Sequence, residues 1–210
     1  QSRSSAASDV YKRQVLHYVE NNQQLNNDDL LLVDAGCEYE MYAADITRTF
    51  PVSGKFSDEQ LAIYKVVLDA MNAAIDMVKP GNHIMQPQEI SEKVITEGLV
   101  KLGLLDGDPE ELHKSGAYKE FYMHKIGHWL GLDVHDAGDY VEGEEYMKFK
   151  PGMITTIEPG IYISSSMDVD DKWKGIGIRI EDDILVTKDG NENLTKKVPS
   201  DPEEIESLMS

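Results

Sequence analysis

Asp34, Asp45, His128, Glu158 and Glu181 are the residues of this chain whose types and settings best suit chemistry. Each sits where a strand or a glycine-flanked turn can point it inward. Asp34 closes the apolar run Leu30-Leu31-Leu32-Val33, and Asp45 opens Ile46-Thr47-Arg48-Thr49-Phe50. His128 lies between Gly127 and Gly131, Glu158 ends Met153-Ile154-Thr155-Thr156-Ile157, and Glu181 falls inside Gly177–Val186. Carboxylate and imidazole donors suit hard to borderline divalent ions, and four carboxylates with one histidine favour Mn²⁺, Fe²⁺ or Co²⁺ over a thiolate-type zinc site. The single Cys37 is not needed. Four carboxylates supply a charge of about -4, which two divalent cations balance with a bridging hydroxide as the extra anion, whereas one ion leaves the site unbalanced.

Taken singly, each of these residues has an ordinary reading. An aspartate at a strand end is most often a turn residue, and a strand glutamate usually faces solvent. His128 reads as a satisfied core histidine, and Tyr162, Trp129 and Met153 as packing, the reading we take for Trp129 and Met153. His124 stands four residues before His128, a spacing that shares a helix face. Gly127 and Gly131 argue instead for an irregular segment in which the backbone approaches a neighbour closely.

The elements that must position this set follow from periodicity. Asp29 to Asp34 is a short buried strand followed by a tight turn, and Ala44 to Phe50 is a β-branched strand stopped by Pro51, so the two form a hairpin-like pair that brings Asp34 and Asp45 together. Ser57 with Gln60 is a capping box for a helix whose apolar residues, Leu61 to Val78, recur at helical spacing until Pro80-Gly81. A second amphipathic helix runs from about Pro87 to the stop at Gly103 and packs beside the first. Met153 to Glu158 and Gly177 to Val186 read as strands, the second alternating apolar and polar. Strands first, helices in the middle and strands last predict an α+β domain with an antiparallel sheet rather than parallel βαβ units.

Composition bounds the function. The 210 residues are expected to form one domain around one core. With 40% apolar residues and no apolar run near the ~20 residues of a membrane span, the chain reads as soluble, with no membrane partner. A formal charge of -19 argues against nucleic acid, whose partners present a basic face. Acidic runs such as Asp106 to Glu111 and Asp168 to Asp171 read as solvated surface. Residues 1–14 are polar, Ser/Ala-rich and without a signal-peptide core; they are expected to be a disordered or foreign segment, with the domain occupying 15–210. One cysteine and no targeting segment point to the cytoplasm.

Four strings, VDAGCEYEMYAADITRTFPVSGKF, HKIGHWLGLDVHD, PGMITTIEPGIYI and GIGIRIEDDILVT, resemble in order and spacing the catalytic domain of the Xaa-Pro aminopeptidases, in the creatinase/methionine aminopeptidase superfamily. The resemblance runs from about Val15 to Met209, and its motifs are closer to aminopeptidase P than to prolidase or methionine aminopeptidase. It implies a pita-bread fold with two Mn²⁺ ions. Asp34 would bind one ion through both oxygens, Asp45 and Glu181 would bridge the pair, and His128 and Glu158 would hold the other. A bridging hydroxide would attack the X-Pro peptide bond and release the N-terminal amino acid, with Glu158 as proton shuttle. His124 and His135 match positions that contact substrate and stabilise the oxyanion, His17 matches a third active-site histidine, and Arg179 matches an arginine that holds a ligand carboxylate from behind.

Full-length members of that family carry a further N-terminal domain and more strands and helices before the position of His17, and are expected to be homo-oligomeric. The resemblance therefore implies an incomplete first half of the pita-bread fold, with an unpaired sheet edge and doubtful activity in isolation. Two other readings stand beside it: a prolidase acting on X-Pro dipeptides, and a non-catalytic binding module of the same fold.

Overall fold

The computed structural model describes the backbone of Ser4–Ala7, Asn22 and residues 24–210; His17 lies outside the described residues. The elements follow in the order β1 Ser4–Ala7, β2 Leu30–Ala35, β3 Glu38–Tyr39, β4 Tyr42–Ala43 and β5 Ile46–Pro51, then α1 Asp58–Met77, α2 Gln86–Lys101 and α3 Pro109–Ser115. After these come β6 Val141–Glu142, β7 Glu145–Tyr146, β8 Ile154–Ile157, β9 Gly160–Tyr162, β10 Gly177–Arg179, β11 Asp182–Val186, β12 Asn191–Asn193 and α4 Pro202–Met209. All described strand pairs are antiparallel, in the orders β1-β2-β5, β9-β10 and β8-β11-β12, with two small hairpins, β3-β4 and β6-β7. This is the expected α+β arrangement, strands flanking a helical middle.

The helices form for local reasons and stay for tertiary ones. Ser57 caps α1 through its hydroxyl while Gln60 reaches back to the Ser57 N–H, both arms of the capping box. The inner face of α1, Ile63, Tyr64, Val67, Ala70, Met71 and Ala74, is buried against Ile95 and Leu99 of α2 and against the isoleucines of the strands, Ile157, Ile161, Ile178, Ile180 and Ile184. Fully burying such side chains contributes about 1.5–3 kcal/mol each. The helix α3, absent from the sequence reading, grows out of the acidic run: Asp108 caps it by accepting from the N–H groups of Glu110 and Glu111, and Gly116, in the left-handed region, ends it.

Two departures from the sequence reading matter for the site. The alternating run Gly177–Val186 is two strands, because the chain changes partners at Ile180-Glu181: β10 pairs with β9, and β11 pairs with β8. At the crossover the Glu181 N–H donates to the Thr47 carbonyl (3.0 Å). The polar opening also differs from expectation, since Ser4–Ala7 pairs antiparallel with β2, Ser5 opposite Asp34 and Ala6 opposite Val33. A central strand such as β2 has backbone donors and acceptors on both edges, and four small residues can satisfy the outer one. No helix among the described residues is long and apolar enough to cross a membrane.

Candidate metal centre

Strand register assembles the site. On β5, Thr47 and Thr49 share one face, which Asp45 continues just before the strand, Arg48 takes the other, and Asp34 of β2 lies directly opposite Thr47. Asp34 and Asp45 therefore share a face, close enough for each carboxyl group to shift the other's pKa. Glu181 arrives at the crossover between β10 and β11, and its Oε2 accepts from the Thr47 hydroxyl at 2.6 Å.

The histidine comes from the irregular segment 126–130, which runs along β8. The N–H groups of Leu130, Thr156 and Glu158 donate to the carbonyls of Ile154, His128 and Ile126 at 3.2, 3.0 and 2.7 Å. This approach is possible because residue 127 is glycine: a Cβ there would overlap the Thr156 carbonyl oxygen. The close backbone approach expected from Gly127 is what the structure holds, in place of a helix. Nδ1 of His128 faces the Trp129 carbonyl at 3.0 Å, an acceptor only, so Nδ1 carries the proton. Nε2 is left as the lone pair, 3.6 Å from Asp45 Oδ2 and 3.6 Å from Glu158 Oε1.

Donor atoms of Asp45, His128 and Glu181 lie within 4.8 Å of one another. Asp34 joins this group through Asp45, and Glu158 through His128. The charge balance of the cluster is poor without added cations. Four carboxylates face Arg179 and His128, and their pKa values record it. Burial, with help from Asp45 and against Arg179, raises Asp34 to about 6. Burial also raises Glu158 to about 7, opposed by Arg179 and His128 and assisted by Asp45 and Asp34. Burial and the three neighbouring carboxylates push Glu181 well up. Burial acts upward on Asp45 too, but hydrogen bonds from His128 and Asp34 outweigh it and its pKa is lowered; burial likewise opposes protonation of His128, but Asp45, the Trp129 carbonyl and Glu158 raise it. A set of oxygen donors with one imidazole lone pair, short of positive charge, fits divalent cations.

Behind the cluster runs a directed chain of hydrogen bonds. Arg179, 3% exposed, donates through Nη2 to Asp34 Oδ2 at 2.7 Å and through Nη1 to the Tyr162 hydroxyl oxygen at 3.2 Å. His124 Nδ1 lies 2.8 Å from the Lys125 carbonyl and so carries that ring's proton, which leaves Nε2 to accept from the Tyr162 hydroxyl at 2.8 Å. Burial first, and the nearby Arg179 charge, lower the His124 pKa to about 4, so the ring is neutral. Both ring nitrogens are engaged, Nδ1 with the Lys125 carbonyl and Nε2 with the Tyr162 hydroxyl. His135 stacks edge-on to His128, ring centroids 4.4 Å apart.

The described residues thus bring together all five expected donors, with Arg179, His124 and His135 around them. Sequence reasoning gave Tyr162 no role beyond an ordinary packing alternative, and it missed Thr47, which orients Glu181, and Arg48 and Asp182, which make a buried ion pair at 2.7 Å just behind the crossover. A charged residue inside the β-branched run Ile46–Phe50 was the one available signal for Arg48.

Comparison with known proteins agrees with this geometry. The model of metallopeptidase family M24 matches residues 4–188. The chain is 53% identical over 196 residues to the Xaa-Pro aminopeptidase of Haemophilus influenzae, covering 93% of this chain and 45% of that protein. It is 49% identical to that of Escherichia coli, with 93% and 44% covered. Among solved structures it superimposes on the aminopeptidase PepP of Pseudomonas aeruginosa with a TM-score of 0.96 at 53% identity. That match covers 99% of this chain and 47% of the other. On proline aminopeptidase P II of Yersinia pestis the TM-score is 0.94 at 48% identity. The architecture is the α+β pita-bread fold of those neighbours, and the chain spans a little under half the length of the proteins it matches.

Proposed function

From the premise that this chain belongs to metallopeptidase family M24, we propose that its carboxylate–histidine cluster is the dinuclear centre of an Xaa-Pro aminopeptidase. The substrate class is peptides with proline in the second position, and the product is the free N-terminal amino acid. The observation that carries this reading is the convergence of Asp45, His128 and Glu181 within 4.8 Å, with Asp34 and Glu158 attached to the same group. Asp34, Asp45, His128, Glu158 and Glu181 would hold two divalent cations, Mn²⁺ by donor type. Bound there, two cations would make a shared water acidic and polarise a substrate carbonyl.

The chain's own residues do the rest. Glu158 stands at the edge of the cluster, half-buried, where a carboxylate can take a proton from the attacking water and return it to the proline nitrogen as the peptide bond breaks. The Trp129 carbonyl fixes the His128 tautomer so that Nε2 faces the cluster, Thr47 holds Glu181 Oε2, and Arg179 holds Asp34. His135, whose ring lies against His128, would meet substrate. His124 acts through Tyr162, whose hydroxyl it shares with Arg179. His17 enters this reading through the resemblance alone, as a third active-site histidine. A cytoplasmic setting belongs to the same reading, supported by the exposed, unpaired thiol of Cys37, which suits a reducing environment.

The test is metal content and X-Pro-Y hydrolysis, run on this chain and on this chain joined behind the N-terminal half of a relative. About two Mn²⁺ per chain are expected, with release of the first residue, loss of turnover in EDTA, and loss of both metal and activity in Asp45→Ala. Cleavage of X-Pro dipeptides but not of longer peptides would replace the aminopeptidase with a dipeptidase. A folded protein that binds no metal would leave a binding module in its place.

A further inference from the structure

Arg48 is a fully buried cation, 2% exposed. It lies on β5 between Thr47 and Thr49, and its side chain leaves the strand on the face away from the cluster. A guanidinium has five N–H donors in a fixed fork, and here each has an acceptor. Nε donates to the Pro199 carbonyl at 2.8 Å. Nη1 donates to the carbonyls of Thr47 (2.9 Å) and Glu181 (2.6 Å). Nη2 donates to the Val198 carbonyl (2.7 Å) and to Asp182 Oδ1 (2.7 Å). Asp182 is completed by the Thr195 hydroxyl at 2.6 Å on Oδ1 and by Asn193 Nδ2 at 2.8 Å on Oδ2.

Two of those acceptors belong to the residues that set the centre. Glu181 sits at the crossover, in neither β10 nor β11; its N–H is bound to the Thr47 carbonyl, and its own carbonyl receives Arg48 Nη1. The Thr47 carbonyl receives Arg48 as well, and the Thr47 hydroxyl holds Glu181 Oε2. One guanidinium therefore fixes the distance between the β5 segment, which starts just after Asp45, and the backbone of Glu181. We propose that Arg48 is a positioning residue of the metal centre, setting the separation of the two carboxylates that share the cations. The inference rests on the reading of Asp45 and Glu181 as metal ligands. A lysine cannot substitute, since its single ammonium has three donors from one point and cannot span two carbonyls and a carboxylate.

The test compares wild type, Arg48→Lys, Arg48→Leu and, as a packing control far from the cluster, Leu99→Ala. Mn²⁺ affinity is read from the free-ion electron paramagnetic resonance signal, and the coupled signal of the bound pair reports ion separation. Thermal melts and far-ultraviolet circular dichroism report the fold. Arg48→Lys is expected to keep the wild-type dichroism spectrum, to bind Mn²⁺ about 10–100-fold more weakly and to show an altered coupled signal. Leu99→Ala is expected to melt earlier with affinity and signal unchanged. Should Arg48→Leu fail to fold, Asp182→Asn, which preserves volume and removes the fork's anionic partner, carries the same comparison. Wild-type affinity and coupling in Arg48→Lys and Asp182→Asn, with only the melting temperature lowered, would overturn the proposal and make Arg48 a stabilising residue alone. If the wild type itself binds no Mn²⁺, the metal-centre reading fails first and takes this inference with it.

Discussion

Stripping the protein of divalent cations is expected to make its stability fall as pH rises through the acid-to-neutral range. The reason is the direction in which Glu158 is displaced, from an ordinary 4.5 to about 7, chiefly by burial. Between those values the folded protein keeps a proton that the unfolded chain has released, so by linkage the folded state is favoured at low pH and loses that advantage as pH climbs. The contribution is fully present below about 4.5 and gone above about 7. At roughly 1.4 kcal/mol per pH unit of displacement, it amounts to about 3 kcal/mol, a sizeable share of a stability of 5–15 kcal/mol. Asp34, raised from 3.8 to about 6, acts with the same sign over a lower window. The assay is urea unfolding of the EDTA-treated protein at pH 5, 6, 7 and 8, beside Glu158→Gln, whose amide cannot ionise. The metal-free wild type should lose most of the ~3 kcal/mol between pH 5 and 7.5. The amide variant should show a flatter profile and exceed wild type at neutral pH. Saturating Mn²⁺ should erase the wild-type loss, because cations replace the proton as the balancing charge. Parallel profiles for the two metal-free proteins would refute the reasoning, since the pH dependence would then come from charge spread over the surface.

Three further outcomes can be measured directly. Tyr162→Phe strips the hydroxyl shared by Arg179 and His124 and leaves buried groups without partners, so it should cost about 1–3 kcal/mol in urea unfolding; equal stability would mean that the chain of hydrogen bonds contributes nothing. Gly127→Ala would drive a methyl group into the Thr156 carbonyl and push segment 126–130 off β8, so Mn²⁺ affinity should drop together with melting temperature, whereas unchanged affinity would separate His128 from that segment's register. Ser57→Ala removes the N-cap of α1 and should cost about 1 kcal/mol with no change in metal binding, a comparison that isolates local helix stability from the site.

How far the sequence led is best seen residue by residue. Ser57 with Gln60, and Pro87 near the start of α2, placed both long helices to within a residue or two, because capping is local chemistry written in local sequence. Period-two alternation paired Asp34 with the Asp45 strand, because register follows from which face must be buried. The same rule failed at Glu181. Alternation continues unbroken through Gly177–Val186, but the partner strand changes from β9 to β8 at Glu181, where the chain is also tied to Thr47, 134 positions away. Tyr162 received no role from the sequence, because a buried tyrosine is usually packing and its partners here depend on where Arg179 and His124 end up. Ser4–Ala7 had no apolar pattern to reveal it, and its place follows from the open edge of β2.

The fork of Arg48 also has a consequence in time. Ribosomes deliver the chain from its first residue onward, and the cluster's donors are all present once Glu181 has emerged. Two of Arg48's five acceptors, the carbonyls of Val198 and Pro199, emerge later, as do Asn193 and Thr195, which complete Asp182. Contacts bridging some 150 positions close late in any folding sequence, since the long intervening loop must be ordered first. A nascent chain released only as far as β11 holds every carboxylate of the centre but only three of the five acceptors that fix the Arg48 fork. Its centre would meet cellular cations with the Arg48 fork half held, and the fork closes when residues 193–199 dock.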